Sequence, residues 1–405
     1  TIVFEDQAFG WAFRTLCPHC GKHHESQHFY KSSYAPSICE AYDKCITPLS
    51  NICDIDESFL SLVYLLFLRL NEKLMRGDDV SNVMSLETHW KSFDSTLVFE
   101  MKKAIHHFLL YIDQNGVTTH SFFKTKKGWQ HIFGIILVNA HHVVDKGDAL
   151  FPIASLVNHN CQPNCTYRAM ATLEKGVILQ LIAIRPIAAG EEITISYIDI
   201  GQPRRHRLKA LFYEKHFVCT CVLCESSSID VREGIQQNLP CCGQTTVVPH
   251  YKDPSKKSRQ EEWQCASCLS SLKQGPSQSS TIAQWVSQCK RAFYCMNDEF
   301  MQHSLKSFIE THYTTLSLHS HHYLHKLLYD CILKQPLLVE KTKLDDILKK
   351  QDELYTTYYG LYHPNRIHLL YTQLNLCQQF NLSTYDIKQQ LSKIPTIFLD
   401  QAEKK

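Results

Sequence analysis

Eighteen cysteines occur in this chain of 405 residues, many of them in clusters. Clustered cysteines form disulfides in a secreted protein and bind zinc in a reducing compartment. Glu5 and Asp6 stand where a secretory signal needs basic and then apolar residues. The sequence therefore predicts an intracellular zinc protein of the cytoplasm and nucleus. Buried apolar packing is expected instead for the six scattered cysteines, which are Cys53, Cys165, Cys289, Cys295, Cys331 and Cys377.

Length and charge narrow the function classes. A chain of this length is two to three times a typical domain, so two or more cores are expected. The formal net charge is only +2, which gives no support for a nucleic-acid partner. The most apolar run, residues 59–68, is too short to span a bilayer and is typical of a core helix. We expect a monomer that binds neither membranes nor nucleic acids directly.

The residue pattern changes several times along the chain. Residues 1–16 alternate apolar and polar positions, which predicts a strand. The chain opens inside this pattern, so we expect a fragment or a processed end. The predicted segments are strand 1–16, a Cys/His-rich region 17–53, helices 54–128, a β-rich core 129–200, a basic helix with cysteines 201–225, an irregular insertion 226–280, and a helical domain 281–405.

Local signals place elements within these segments. Apolar residues at steps of three and four predict a helix that Ser95 caps and Gly116 ends. Short apolar runs at 134–138 and 177–184, and the segment 192–197, predict strands. The segment 281–405 contains paired amphipathic stretches without a strict 34-residue repeat, which favours a helical-repeat domain.

Three motifs occur in a fixed order. Asn158-His159-Asn160-Cys161-Gln162-Pro163-Asn164 comes first, and the segment 190–197 (GEEITISY) follows about thirty residues later. The segment 219–224 (CTCVLC) comes last. In this order the three motifs resemble the SET domain of the SMYD lysine methyltransferases, in detail from about residue 134 to residue 225.

The resemblance implies an α+β fold: a SET-domain β-fold with a pseudoknot, interrupted by a zinc-module and helical insertion. A post-SET zinc site and a TPR-like helical domain follow. It also implies transfer of a methyl group from S-adenosylmethionine to a protein lysine, on a histone or another protein. Tyr197 is then the catalytic tyrosine. The implied cofactor-binding residues are Asn158, His159, Asn139, Ser155 and Tyr197.

Directed hydrogen bonds from Asn and His side chains suit a nucleotide-like cofactor. Without the resemblance, a buried Asn-His pair is often only a loop anchor. A Tyr at the end of a strand is likewise more often a structural aromatic.

Cys219, Cys221 and Cys224 supply three thiols, whereas structural zinc takes four ligands. The resemblance supplies the fourth from Cys161. This ion would tie the segment after the SET core across the cofactor pocket.

Two further clusters are predicted to bind zinc. Cys241, Cys242, Cys265 and Cys268 form one, although adjacent cysteines seldom both ligate one tetrahedral ion. The other lies where SMYD proteins insert a MYND module, and its predicted ligands are Cys17, Cys20, Cys39 and Cys45. The module is degenerate: beyond the first Cys-x-x-Cys pair the MYND pattern is lost, and Cys53 or one of His23, His24 and His28 are alternative ligands.

The histidines of residues 319–325 lack partner cysteines, so solvated or packing histidines are expected there rather than metal ligands. Residues 358–364 (YYGLYHP) resemble a structural turn of the SMYD helical domain that frames a substrate groove.

Two departures weaken the enzyme hypothesis. Many SMYD proteins have a Tyr four residues before the first post-SET cysteine, and here that residue is Lys215. We expect Lys215 to turn outward on its flexible stem while His216 or Tyr213 fills the gap. The glycine-rich cofactor loop of SET domains is expected upstream of Thr1. The alternative functions are a SET-fold scaffold or transcriptional regulator with weak or no catalysis, and a purely structural helical adaptor.

Overall fold

The computed structural model describes residues 2–8, 10–12, 14–16, 23–25, 34, 36, 38–143, 147–172, 176–225, 229–239, 241–243, 245–250, 262–295 and 298–399. These residues form two compact units. Unit 1 comprises residues 1–158, 167–183 and 190–193, and unit 2 comprises residues 159–166, 184–189 and 194–405. The two units group the seven predicted segments differently. The boundaries of those segments stay a prediction.

Helices form a large part of unit 1. They are α1 (Ile38–Ala41), α2 (Thr47–Ser50), α3 (Glu57–Arg76), α4 (Ser81–Met84), α5 (Ser95–Gln114) and α6 (Lys126–Asn139), with a π-helical turn at Tyr42–Ile46 and 3-10 turns at Trp90–Ser92, Ser121–Lys124 and Ala154–Leu156. The predicted core helix at residues 59–68 is confirmed as part of α3. Gly116 follows the end of α5 with a positive φ of 59°, but the N-cap of α5 is Asp94 rather than Ser95, because its carboxylate accepts from the amide of Thr96 at 2.8 Å.

An aromatic cluster forms the centre of unit 1. Trp129 of α6 is fully buried and stacks on Phe108 of α5 and Phe67 of α3, at ring-centroid distances of 4.9 and 5.0 Å. Its indole N–H donates to the carbonyl of Phe123 at 2.9 Å, so the polar edge of the ring is satisfied as well. Aromatic side chains of this size bury enough apolar surface to fix the three long helices against one another.

The prediction of a strand at residues 134–138 is wrong, because α6 extends to Asn139. Trp129, Ile132, Phe133 and Ile136 are buried at steps of three and four, which is the helical period. Thr125 caps the helix by accepting from the amide of Gly128. The short apolar run was one face of a longer helix.

The strands between residues 2 and 195 are short. They are β1 (Ile2–Gln7), β2 (Gly10–Ala12), β3 (Arg14–Leu16), β4 (His23–Glu25), β5 (Ala140–Val143), β6 (Gly147–Leu150), β7 (Asn158–His159), β8 (Cys165–Thr172), β9 (Gly176–Ala183) and β10 (Thr194–Ile195). The strand predictions for residues 1–16 and 177–184 are therefore confirmed. The segment 192–197 is strand only at Thr194–Ile195, so Tyr197 lies two residues beyond a strand rather than at its end.

Four small sheets arise from these described strands, in the orders β1-β9-β8, β2-β6-β5, β3-β4 and β10-β7. In the first, β1 pairs antiparallel with β9, with Glu5 opposite Gln180. Asp6 of β1 is buried and its carboxylate accepts from the amides of Ile153 and Ala154 at 2.7 and 2.8 Å. This contact fixes the segment before β7 to the first strand.

After residue 200, unit 2 contains helix α7 (Arg204–Glu214) and then an antiparallel sheet. Its four strands, in the order β11-β12-β13-β14, are β11 (Ile235–Gln236), β12 (Thr246–His250), β13 (Glu262–Cys265) and β14 (Ser271–Leu272). The prediction of an irregular insertion at 226–280 is thus wrong for its described part. Val247, Val248 and Trp263 are buried in this sheet. Because Val247 and Val248 are neighbours on one strand, they point to opposite faces, so both faces of the sheet are partly covered.

The rest of unit 2 is helical, as predicted. Its helices are α8 (Ser279–Tyr294), α9 (Glu299–Thr311), α10 (Tyr323–Lys334), α11 (Lys341–Tyr359), α12 (Pro364–Gln379), α13 (Tyr385–Ser392) and α14 (Thr396–Leu399). Five of the six scattered cysteines are buried, but Cys295 at the end of α8 is exposed, because the helix has ended there. Within the described residues no helix is long and apolar enough to cross a membrane. The α+β fold class is confirmed.

Candidate functional site

Four cysteines from distant parts of the chain meet in unit 2. The sulfurs of Cys161, Cys219, Cys221 and Cys224 all lie within 4.8 Å of one another, and those of Cys161 and Cys224 are 3.4 Å apart. A tetrahedral zinc ion with Zn–S bonds of about 2.3 Å separates its sulfurs by about 3.8 Å. The four thiols therefore fit a structural zinc ion, and we call them the first quartet.

Three of the four thiols come from one short segment that follows α7, residues 219–224. The amide of Cys224 donates to the carbonyl of Cys221 at 2.7 Å, and the amide of Glu225 donates to the same carbonyl at 3.0 Å. The resulting tight turn brings Cys219, Cys221 and Cys224 to one side. Hydrogen bonding from Cys161 lowers the pKa of Cys219 and lowers that of Cys221 to about 6. Cys219 and Cys221 thus favour the thiolate form that a metal requires, whereas hydrogen bonding within the quartet raises the pKa of Cys161.

Two buried arginines of α7 support the backbone of this turn. Arg207 is fully buried, and its guanidinium donates to the carbonyl of Leu223 at 3.1 Å and pairs with Asp230 at 3.0 Å. Arg204 donates to the carbonyl of Cys224 at 3.0 Å. Asp230 and the thiols of Cys161 and Cys224 together raise the pKa of Arg207 against the effect of burial.

A zinc ion with four thiolates has two net negative charges, which are costly to bury without a nearby cation. Arg207 provides that cation and fixes the ligand backbone at the same time. Neither arginine was identified from the sequence, although their spacing of three residues on a helix next to the cysteines was the available signal.

His159 connects the first quartet to Tyr197. Its Nδ1 accepts from the backbone amide of Tyr197 at 3.0 Å, and its Nε2 lies 3.3 Å from the sulfur of Cys161. Because Nδ1 accepts, the ring proton is on Nε2 and points to the sulfur. The imidazole therefore fixes the position of the Tyr197 backbone relative to the metal ligands.

The motif containing His159 is also tied to the segment before Tyr197 within unit 2. The amide of Asn160 donates to the carbonyl of Ile195 at 3.0 Å. Buried Asn164 accepts from the amide of Thr194 at 2.9 Å through its side chain. These bonds place the two sequence motifs side by side, as the resemblance implied.

Aromatic rings surround Tyr197. The ring of His159 lies 5.4 Å from that of Tyr197, and Phe217 lies 6.4 Å from Tyr197 and 6.1 Å from His159. Phe217, two residues before Cys219, was not identified from the sequence. The prediction that Tyr213 or His216 fills the aromatic gap is wrong for Tyr213, whose side chain is exposed on α7 and packs on Phe212.

Lys215 does not turn outward as expected. It is half-buried, and its Nζ lies 5.8 Å from the centroid of the Tyr197 ring. Burial lowers the pKa of its ammonium, and Glu214 opposes that effect. The contact is explained by cation–π attraction to the phenol ring, which offsets part of the cost of removing the ammonium from water.

The other predicted cofactor residues lie in unit 1 and have defined contacts there. Asn158 is exposed, and its amide donates to Glu192 at 2.7 Å. Asn139 is buried, and its amide donates to the carbonyls of Glu87 and Ile135, both at 2.8 Å. The hydroxyl of Ser155 donates to the carbonyls of Phe151 and Asn139 at 2.7 and 3.1 Å. Their role toward a cofactor stays a prediction.

A second quartet forms on the four-stranded sheet. The sulfurs of Cys241, Cys242, Cys265 and Cys268 all lie within 4.8 Å of one another. The sulfur of Cys242 is 3.8 Å from that of Cys241 and 3.5 Å from that of Cys265. Adjacent cysteines therefore do reach one site here, and Gly243, with a φ of 73°, provides the sharp turn that follows them. The second quartet fits zinc as well as the first.

Of the four predicted ligands of the MYND-like site, the structure describes the side chain of Cys45 alone. Cys17 and Cys20 and the side chain of Cys39 lie outside the described residues. Cys45 is buried in the apolar core of unit 1, where desolvation raises its pKa to about 12. Cys53, an alternative ligand, lies in the same core.

The histidines of residues 319–325 pack within unit 2. His322 is buried and caps α10 by accepting from the amide of Leu324 at 3.0 Å, and burial lowers its pKa to about 3. None of these histidines joins a metal-ligand cluster within the part of the chain that the structure describes. His322 is a packing histidine, which is one of the two alternatives that the sequence left open.

The predicted turn at residues 358–364 also has a structural role. Tyr359 ends α11 and donates to Asp199 at 2.5 Å, and Gly360 follows with a φ of 85°. His363 caps α12 by accepting from the amide of Asn365.

Comparison with known proteins gives the class. The family model for the SET domain matches residues 23–198. Histone-lysine N-methyltransferase SMYD1 of Homo sapiens is 34% identical over 126 residues, which are 27% of this chain and 25% of that protein. SET domain-containing protein SmydA-8, isoform B, of Drosophila melanogaster is 30% identical over 131 residues, 32% of this chain and 27% of that protein. N-lysine methyltransferase SMYD2-B of Danio rerio is 39% identical over 87 residues, 21% of this chain and 18% of that protein.

The chain therefore carries a SET domain. Over about a quarter of its length the chain is similar to SMYD proteins, as the three sequence motifs predicted. The matched part is about a quarter of the length of these relatives, and the helical domain after it lies outside the family match.

The two quartets generate a prediction about metal content. Cys161→Ser and Cys265→Ser should each remove one zinc ion per chain, and each should lower stability by several kcal/mol because binding free energy of structural zinc is largely folding free energy. Zinc per chain is measured by atomic emission on purified protein. The matched control is Cys165→Ala, a buried cysteine outside both quartets, which should keep the zinc count. An unchanged count in either serine variant contradicts the corresponding site.

Arg207 generates a second prediction. Arg207→Lys keeps the charge but loses the planar fork that contacts Asp230 and the carbonyl of Leu223. Zinc affinity should fall by about 10- to 100-fold, the usual effect of losing a residue that orients metal ligands. Competition with a chromogenic chelator measures this affinity. Arg205→Lys, two residues earlier on α7 and partly exposed, is the control and should leave it unchanged. Equal zinc affinity in both variants would show that Arg207 is only a packing residue.

Proposed function

We propose that this protein is an S-adenosylmethionine-dependent protein-lysine N-methyltransferase with Tyr197 as its catalytic residue. One observation carries the proposal most directly. The backbone of Tyr197 is held by His159, whose other nitrogen contacts the first quartet at Cys161. A tyrosine anchored in this way has a defined position, which a residue that must orient a reacting amine needs. The names of the SMYD relatives, which are lysine methyltransferases, support the same activity.

The chemistry makes limited demands on the chain. The cofactor supplies a methyl group that is already activated by a positively charged sulfur. The protein must align the lysine amine with that methyl group and deliver the amine uncharged, although the pKa of free lysine is about 10.4. The phenol of Tyr197 orients the amine. Phe217 and the ring of His159 shield Tyr197 from water, and desolvation favours the neutral amine.

The predicted cofactor residues differ in which hydrogen-bonding atoms remain available for a cofactor. Both ring nitrogens of His159 are already engaged, so we infer that His159 serves the cofactor through its backbone. The exposed carboxamide of Asn158 retains its oxygen as an acceptor. Both amide hydrogens of Asn139 are used, so Oδ1 is the atom it can offer. Each of these atoms is of a type that suits the amino-acid or ribose groups of the cofactor.

A SET-fold scaffold with weak catalysis is the second candidate. The observation that favours it is the ammonium of Lys215 over the ring of Tyr197, where a positive charge opposes both an incoming lysine and a sulfonium. Under either function we propose a protein partner, a monomer without direct nucleic-acid binding, and a location in the cytoplasm and nucleus. A lysine of a histone or of another protein is the proposed acceptor.

Tyr197→Phe should retain cofactor binding and lose methyl transfer, because only the hydroxyl is removed. Calorimetry with S-adenosylmethionine measures binding. Transfer of radioactive methyl groups to core histones and to a mixture of lysine-containing peptides measures activity. Tyr213→Phe, which removes an exposed hydroxyl from α7, is the control and should act like the parent. Methylation by Tyr197→Phe at the parental rate would overturn the catalytic assignment.

Lys215→Tyr should raise kcat/KM by about tenfold, because it removes a half-buried positive charge that repels the substrate ammonium. The pKa of Lys215 is lowered, so its charge is lost progressively as the pH rises toward that value. The advantage of the variant over the parent should therefore shrink as the pH rises toward the ordinary lysine pKa of about 10.4. Lys209→Tyr, on the exposed face of α7, provides the control. A gain that is absent, or one that is constant with pH, would contradict a charge effect.

A further inference from the structure

A cleft of about 250 Å³ lies in unit 2, and none of the quartet cysteines lines it. One face of α8 forms its floor, with Ile282 and Val286 in the middle and Lys290 at one end. Trp263 of β13 forms an opposing apolar wall, and the start of α7 closes the end near Lys290 with Arg205 and His206. The cleft thus has an apolar body and a cationic end.

Lys290 has neutral contacts but no carboxylate close to it among the described residues. It is half-buried, its Nζ lies 3.2 Å from Nδ1 of His206, and it lies 5.3 Å from the centroid of the Tyr323 ring. Burial lowers the pKa of His206 to about 3, so the imidazole is neutral and accepts from the ammonium without neutralising it. Among the described residues, no carboxylate lies within 4.0 Å of Lys290.

The charges around Lys290 are of both signs. Burial lowers the pKa of Lys290 and Arg205 lowers it further by like-charge repulsion, whereas Glu233 and Asp199 oppose these effects from a distance. Glu233 lies 3.9 Å from Arg205 on the cleft wall, and nearby Asp230 is engaged by Arg207 and Arg232. An anion placed between Lys290 and Arg205 would relieve the repulsion and replace the water that both groups lost.

We propose that this cleft binds an acidic segment of a protein partner, with an Asp or Glu carboxylate between Lys290 and Arg205 and a neighbouring apolar side chain against Trp263, Ile282 and Val286. Charge complementarity selects the carboxylate. The apolar floor selects a peptide over a fully polar ion. The volume is below the usual range of about 300–1,000 Å³ for cofactor and small-molecule sites, and suits one or two side chains. The proposal does not depend on methyltransferase activity.

The probe is the N-acetylated, C-amidated tetrapeptide Leu-Glu-Glu-Leu, compared with Leu-Gln-Gln-Leu. Binding is measured on the full chain through the indole N–H resonance of Trp263, which is assigned with Trp263→Phe. The acidic peptide should shift this resonance in a saturable manner, and the neutral peptide should not. Raising the salt concentration should weaken the binding.

Lys290→Gln should weaken binding of the acidic peptide by about tenfold, the scale expected for a hydrogen bond to a charged group. Arg291→Gln makes the same charge change one residue later, on the exposed side of α8 and outside the cleft, and should bind like the parent. Arg205→Gln, a change at a partly exposed side chain, is the second variant if Lys290→Gln lowers the melting temperature, and it should also weaken binding.

Inorganic phosphate is the competing ligand. If phosphate alone shifts the Trp263 resonance as tightly as the acidic peptide does, the cleft is a simple anion site and the peptide proposal is overturned. Equal binding of the acidic and neutral peptides, or equal loss in Lys290→Gln and Arg291→Gln, would overturn it as well.

Discussion

The convergence of Cys161 on Cys219, Cys221 and Cys224 is the contact on which the rest of the candidate site depends. Cys161 and Cys224 are separated by 63 residues, yet their sulfurs are 3.4 Å apart. Closing so long a loop has an entropic cost that grows only slowly with its length, and a structural zinc ion offsets it many times over. His159, two residues before Cys161, and Phe217, two residues before Cys219, are thereby brought to the ring of Tyr197. Metal binding at the first quartet and the position of Tyr197 are therefore coupled.

The second quartet lies on the same sheet as one wall of the cleft of unit 2. Cys265 is two residues from Trp263 on β13, so both side chains point to the same face of the strand. Trp263 stands opposite Pro249 of β12 and Leu272 of β14, and all three strands are very short. Strands of this length cannot hold a sheet by backbone pairing alone. A metal ion at the second quartet would give this wall of the cleft the rigidity that a binding surface needs.

Lys215 marks the tension between catalysis and stability in this chain. Its long stem could have taken the ammonium to solvent, but the aromatic group formed by His159, Tyr197 and Phe217 offers an attractive face at close range. The same positive charge is unfavourable for a reaction that brings a second lysine to Tyr197. An active enzyme with reduced efficiency and a scaffold that has kept the SET fold both follow from this arrangement, and they differ in whether the charge is present when a substrate arrives.

The sequence by itself determined the class of the domain, the first quartet and the helical C-terminal region. Motif order, cysteine spacing and helical periodicity are local properties that survive without coordinates. It did not determine the end of α6, because a five-residue apolar run is compatible with a strand as well as with a helix. Only the tertiary structure decided the direction of Lys215, the roles of Phe217 and Arg207, and the cationic cleft at Lys290. These depend on which side chains meet from distant elements, and no spacing within one segment encodes that.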